Sequence, residues 1–176
     1  MGTDSGNYSN NLNEKDKYIY ELVFSRFNLE WTRLNDLDSK AGNIIGFASL
    51  IIALEINFIS ENFNKIQADE TYIMNFYLII ASVVFLIWSL CLGFASSSIK
   101  KWKVVPETNH LITSYAAQED KSYIETLVQV TKELNFAIEE NKKKSEDKAL
   151  YVNYSQICLE LAVFLFILLF IFVFLI

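Results

Sequence analysis

Residues 72–98 read YIMNFYLIIASVVFLIWSLCLGFASSS, and this run holds no Asp, Glu, Lys or Arg. A helix rises about 1.5 Å per residue, so about 20 apolar residues cross the ~30 Å of hydrocarbon in a bilayer. The run therefore predicts a transmembrane helix. It is followed by Lys100, Lys101, Trp102 and Lys103, the basic anchors and interfacial indole expected where a helix leaves the membrane on its cytoplasmic side. Pro106 then breaks the backbone.

Two further blocks are apolar enough to share the bilayer. Upstream, 41–60 reads AGNIIGFASLIIALEINFIS, with Glu55 as its one charge, and the polar link 61–71, ENFNKIQADET, joins it to the charge-free run. Downstream, 151–176 closes in LAVFLFILLFIFVFLI, which has neither a charge nor a polar side chain. Three blocks separated by polar stretches cannot collect into one water-soluble core. The whole-chain figures agree: 52% hydrophobic and 15% aromatic residues, a mean hydropathy of +0.24 and a single proline in 176 residues.

The polar remainder also carries helical periodicity. In 15–40, Tyr20, Val23, Phe27, Trp31 and Leu34, continued by Ala41, recur at helical spacing and predict an amphipathic helix running into the first span. In 99–150, Ile124, Leu127, Thr131, Leu134, Ile138 and Asn141 alternate three and four apart, the a/d rhythm of a short coiled-coil seam. Residues 1–14 are rich in Gly, Ser and Asn and are expected as a disordered tail. They show no secretory signal, and Gly6 stands where a myristoylation pattern needs Ser or Thr. The expectation is an all-α integral membrane protein of three transmembrane helices, with N-terminal and central cytoplasmic helices extending the spans as a stalk.

Orientation follows from the basic residues. Five Lys or Arg precede the first span, Lys65 alone lies between the first and second, and nine lie between the second and third. The positive-inside rule then puts the N-terminus in the cytoplasm and the C-terminus outside. In that arrangement the cytoplasmic part holds fourteen bases against sixteen acids.

Composition excludes several function classes. A net charge of −6 argues against binding of nucleic-acid phosphates. One histidine, His110, and two cysteines, Cys91 and Cys158, cannot build a tetrahedral His/Cys metal site within one chain. The cysteines also fall near the inner half of the membrane, where a disulfide framework is not expected. No phosphate loop, dinucleotide turn or nucleophile elbow is present. Neither an enzyme nor a cofactor is expected. The run Lys142-Lys143-Lys144 is balanced by Glu139, Glu140 and Glu146 and reads as a solvated face.

The residues that remain as candidates sit in or beside the spans. Gly42, Gly46, Ser49 and Ala53 fall on one strip of span one, and Ser82, Ser89, Gly93 and Ser96 repeat the device in span two. Small residues let helix backbones approach closely where lipid supplies no hydrophobic drive. Such strips serve packing within one subunit, contact between subunits or the wall of a pore. Glu55 lies roughly opposite the first strip and near the outer boundary, where it either snorkels to headgroups or acts in a pore or gate. Asn43 is expected as a helix–helix hydrogen-bond partner. At the inner boundary, Asp38, Lys40, Asp147 and Lys148, with Arg33 and Asp36 at the same level, are either generic headgroup anchors or a specific network between helices.

The Asp38-Ser39-Lys40-Ala41 entry, the following span GNIIGFASLIIAL, the lysine-rich turn of the later helix and Lys148-Ala149 ahead of the last span together resemble small multi-span effectors of anti-phage systems. The chain is similar to the Pycsar transmembrane effector family, and next to the SLATT membrane effectors, over about residues 30–170. It departs from them in having no separate nucleotide-binding domain and little basic pocket chemistry. The resemblance implies a homo-oligomer that, when triggered by a cyclic nucleotide or another defence signal, impairs the inner membrane of an infected cell. Beside this stand two other expectations: a non-conducting scaffold whose cytoplasmic helices dock a partner protein, and an ion channel or transporter subunit.

Overall fold

The computed structural model describes residues 5–68, 72–98 and 122–175, with side chains from Glu14 in the first stretch. They form three helices: α1 (Ser5–Ala68), α2 (Tyr72–Ser98) and α3 (Tyr123–Leu175). Each is long and apolar enough to cross a membrane. The chain is thus an all-α protein of three candidate membrane-spanning helices.

α1 and α3 are longer than their apolar blocks. α1 has 64 residues and α3 has 53. α1 is already helical at Ser5, inside the stretch expected as a disordered tail, and it runs on through most of the stretch expected as an outer link. No proline interrupts 5–68. A helix once nucleated propagates through polar residues far more easily than it restarts.

The start of α3 is written in its sequence. The Ser122 hydroxyl accepts the Glu125 amide at 3.3 Å, while the Glu125 carboxylate accepts the Ser122 amide at 3.3 Å. This reciprocal capping box satisfies amide groups that a helix N-terminus otherwise leaves without partners.

Two compact units are present. In the first, α1 up to Leu34 packs with α3 up to Ser145. Phe27 of α1 is buried against Leu134, Ala137 and Ile138 of α3, with Tyr20, Val23 and Val130 around them. The expected seam is therefore present: Leu134, Ile138 and Asn141 are buried, and Ile124, Leu127 and Thr131 partly so. Trp31, expected on the buried face, is 44% exposed. Glu30 is partly buried there instead, accepting a hydrogen bond from the Ser145 hydroxyl at 3.4 Å.

The second unit contains α1 from Asn35, α2, and α3 from Glu146. Its interior is small and polar: Ala41, Ala48, Ala162, Ser82, Ser89, Ser96 and Ser155 are buried. Large apolar side chains such as Phe47, Ile73, Ile87, Trp88 and Phe164 stand on the outside. That inversion suits lipid, where apolar side chains gain little by turning inward and close backbone packing decides association. Toward the end of α3, Phe58 meets the rings of Phe166, Phe170 and Phe174, and the Lys65 ammonium lies 4.8 Å from the Phe174 ring centre.

Candidate functional site

Four sets of polar groups stand out in the second unit. The first joins α2 to α3. The Ser89 hydroxyl donates to the Ser155 carbonyl at 2.8 Å, and the Ser155 hydroxyl donates to the Ser89 carbonyl at 2.7 Å. Seven residues earlier in α2, the Ser82 hydroxyl donates to the Ala162 carbonyl at 3.2 Å. As α2 numbers rise by seven, α3 numbers fall by seven, so the two helices run antiparallel in a fixed register. Gly93 belongs to this contact: an added Cβ would lie 2.9 Å from Ile45 Cγ1 and 3.5 Å from the Ser155 hydroxyl. The small-residue strip of span two, Ser82, Ser89, Gly93 and Ser96, is thus buried within the chain.

The strip of span one is placed differently. Gly42, Gly46, Ser49 and Ala53 are all exposed, and a Cβ at Gly42 or Gly46 would meet nothing within 4 Å. Asn43 is exposed as well, beside a shallow hollow lined by Gly42, Gly46, Phe47 and Leu50. The Ser49 hydroxyl turns back onto the Ile45 carbonyl at 2.8 Å, which satisfies it without another helix.

The second set is a single carboxylate. Glu55 is 1% exposed beside Ser82, and among the described residues neither of its oxygens has a partner in hydrogen-bond geometry. The Ser82 hydroxyl directs its proton to Ala162 instead. Glu55 does lie away from the exposed strip, as its position on the helical wheel predicts. At 1% exposure it is turned into the unit, and α1 continues beyond it to Ala68.

The third set faces outward on α3. Asn153, Gln156 and Glu160 are exposed, and the Gln156 amide donates to the Glu160 carboxylate at 2.9 Å. Glu160 is absent from the sequence-based candidates because the uncharged run was measured from Leu161. The signal was available: a charge within a terminal apolar block, with amides one and two turns before it.

The fourth set, around Asp38 and Lys148 ahead of the first and last candidate spans, forms a narrower network than expected. Lys148 is 1% exposed and paired with Asp38, joining α3 to α1, so it is no headgroup anchor. Asp36, Lys40 and Asp147 are exposed. Arg33 lies 3.8 Å from Glu30 on its own helix, within the first unit.

Among the described residues no three His, Cys, Asp or Glu side chains gather where they could hold a metal ion. The described hollows are shallow; the one lined by Arg26, Glu30, Glu139 and Lys142 sets two cations against two anions. Comparison of the chain with family models, curated proteins and solved structures gave no match.

Proposed function

We propose that this chain is a homo-oligomeric inner-membrane effector whose copies meet through the Gly42, Gly46, Ser49 and Ala53 strip and permeabilise or depolarise the membrane. The observation that carries the reading is that this strip is exposed and open to a second backbone, while the equivalent strip of α2 is already used within the chain. A small-residue face at membrane depth supports close helix–helix association. In this reading the N-terminus is cytoplasmic, and the first unit is a cytoplasmic stalk that receives the trigger. The resemblance to anti-phage effectors supports a defence signal as that trigger. The balanced charge around Arg26 and Lys142 favours reception through a partner over unaided capture of a nucleotide second messenger.

The test is induction of the full chain in cells while membrane potential is recorded, alone and during phage challenge. Wild type depolarises the membrane and Gly46→Leu does not, although a Cβ at this position meets nothing within 4 Å in its own subunit. Wild-type expression that leaves the potential unchanged under both conditions overturns the proposal.

The exposed apolar residues Tyr18, Leu22, Phe24, Leu29 and Trp31 on α1 favour a second reading, a non-conducting scaffold that docks a partner protein. A stoichiometric partner recovered with the intact chain, together with an unchanged potential, distinguishes it.

A further inference from the structure

The Asn153, Gln156 and Glu160 face of α3 is exposed at a depth where the surroundings are expected to be hydrocarbon. Its depth follows from the α2–α3 register. Ser89 bonds Ser155 and Ser82 bonds Ala162, so Glu160 lies level with about residue 84 of α2. α2 spans Tyr72–Ser98 and is free of charge, which puts Glu160 at its middle. The distance along α3 agrees, since Glu160 lies about 12 residues, or ~18 Å, beyond the buried Lys148.

A carboxylate at mid-bilayer turned toward acyl chains is strongly disfavoured, and ionisable groups at that depth face a bundle interior or a water-filled cavity. Among the described residues Glu160 faces neither. Its described partner is the Gln156 amide on the same helix, and no described cation pairs with the carboxylate. Asn153, one turn further toward Lys148, extends the polar face. The apolar side chains that surround the unit elsewhere, such as Ile87 and Trp88, show what a lipid-facing position holds here.

We infer that the Asn153, Gln156 and Glu160 faces of several copies of this chain together line a water-filled passage in which the Glu160 carboxylates form a cation-selecting ring. The inference rests on the proposed self-association and adds to it the wall of the passage and the class of ion it takes. Carboxylate rings of this kind attract cations and exclude anions. One copy provides one carboxylate, so the site is incomplete without its neighbours.

Two measurements on the full chain in phosphatidylethanolamine and phosphatidylglycerol membranes test it. In a Cys91→Ala, Cys158→Ala background, Gln156→Cys and Asn153→Cys are exposed to the charged thiol reagent trimethylammonium-ethyl methanethiosulfonate, with Ile87→Cys as the lipid-facing comparison. The two α3 positions react and Ile87→Cys does not, because the reagent and the thiolate both need water. Across a potassium chloride gradient, the reversal potential of the wild type lies on the potassium side. Glu160→Gln moves it toward zero, and Glu160→Lys carries it to the chloride side. If the chain assembles and depolarises, but the α3 thiols react no faster than Ile87→Cys or Glu160→Lys leaves the ion preference unchanged, the passage wall is wrong and the proposed function stands. If the chain is monomeric in these membranes, both fall.

Discussion

Gly46 and Gly93 are the same residue in two helices of the same unit, yet alanine at each should move stability in opposite directions. At Gly93 the new Cβ would lie 2.9 Å from Ile45 Cγ1 and 3.4 Å from Cδ1. Cγ1 is bonded directly to the branched Cβ of a stiff side chain, so the strain passes to the α1–α2 packing. Overpacking of this kind costs about 1–3 kcal/mol, and the better helix propensity of alanine returns at most about 1 kcal/mol. Gly93→Ala should therefore lose up to about 2 kcal/mol. Gly46→Ala meets nothing within 4 Å and should gain as much as about 1 kcal/mol in the separated subunit. The assay is unfolding by sodium dodecyl sulfate in lipid–detergent micelles, at protein dilutions where subunits do not associate. Gly93→Ala at least as stable as wild type, with Gly46→Ala less stable, would refute the assignment of inner and outer strips.

Further substitutions probe separate contacts. Ser89→Ala and Ser155→Ala should each cost about 0.6 kcal/mol, a typical hydrogen bond between membrane helices. Each hydroxyl donates to the other residue's backbone carbonyl, and the two hydroxyl oxygens lie 3.3 Å apart, so the two losses should couple by about 0.5 kcal/mol or more, as residues in contact do; strict additivity contradicts the paired geometry. Asp38→Ala should destabilise by about 1–3 kcal/mol and Lys148→Met by less, since the first strips a buried ammonium of its carboxylate while the second leaves an aspartate whose side chain is 52% exposed. Equal losses in unfolding titrations speak against that asymmetry. Ser122→Ala should cost about 1 kcal/mol of local helix stability and speed hydrogen exchange at the first turn of α3. Unchanged exchange there removes the capping box from the account.

The three candidate spans were legible because apolar blocks long enough to cross hydrocarbon leave few alternatives. The first-unit seam was equally legible, since Leu134 and Ile138 have no way to be buried except along one helix face. Element ends were less so. Polar stretches such as 61–68 looked like a link, but nothing in them stops a helix, and α1 simply continues. Wheel geometry placed Glu55 away from the Gly42 strip, yet it could not say which face turned inward. Tertiary packing settles that, burying Glu55 and leaving the glycines open. Two roles stayed open for Lys148 for a similar reason: a lysine at a membrane boundary is usually an anchor, and only the approach of Asp38 from another helix makes it an internal ion pair. Glu160 was harder to see because it stands directly ahead of a sixteen-residue uncharged run that dominates the last block.

That copies of this chain meet on the α1 strip is tested most directly by the mass of the solubilised protein. Wild type and Gly46→Leu are extracted in the same mild detergent, and their masses are measured after subtracting the bound detergent. The account predicts a multiple of 20.3 kDa for wild type and a lone chain of unchanged helix content for Gly46→Leu. A single-chain mass for wild type, or the same multiple for both proteins, contradicts it.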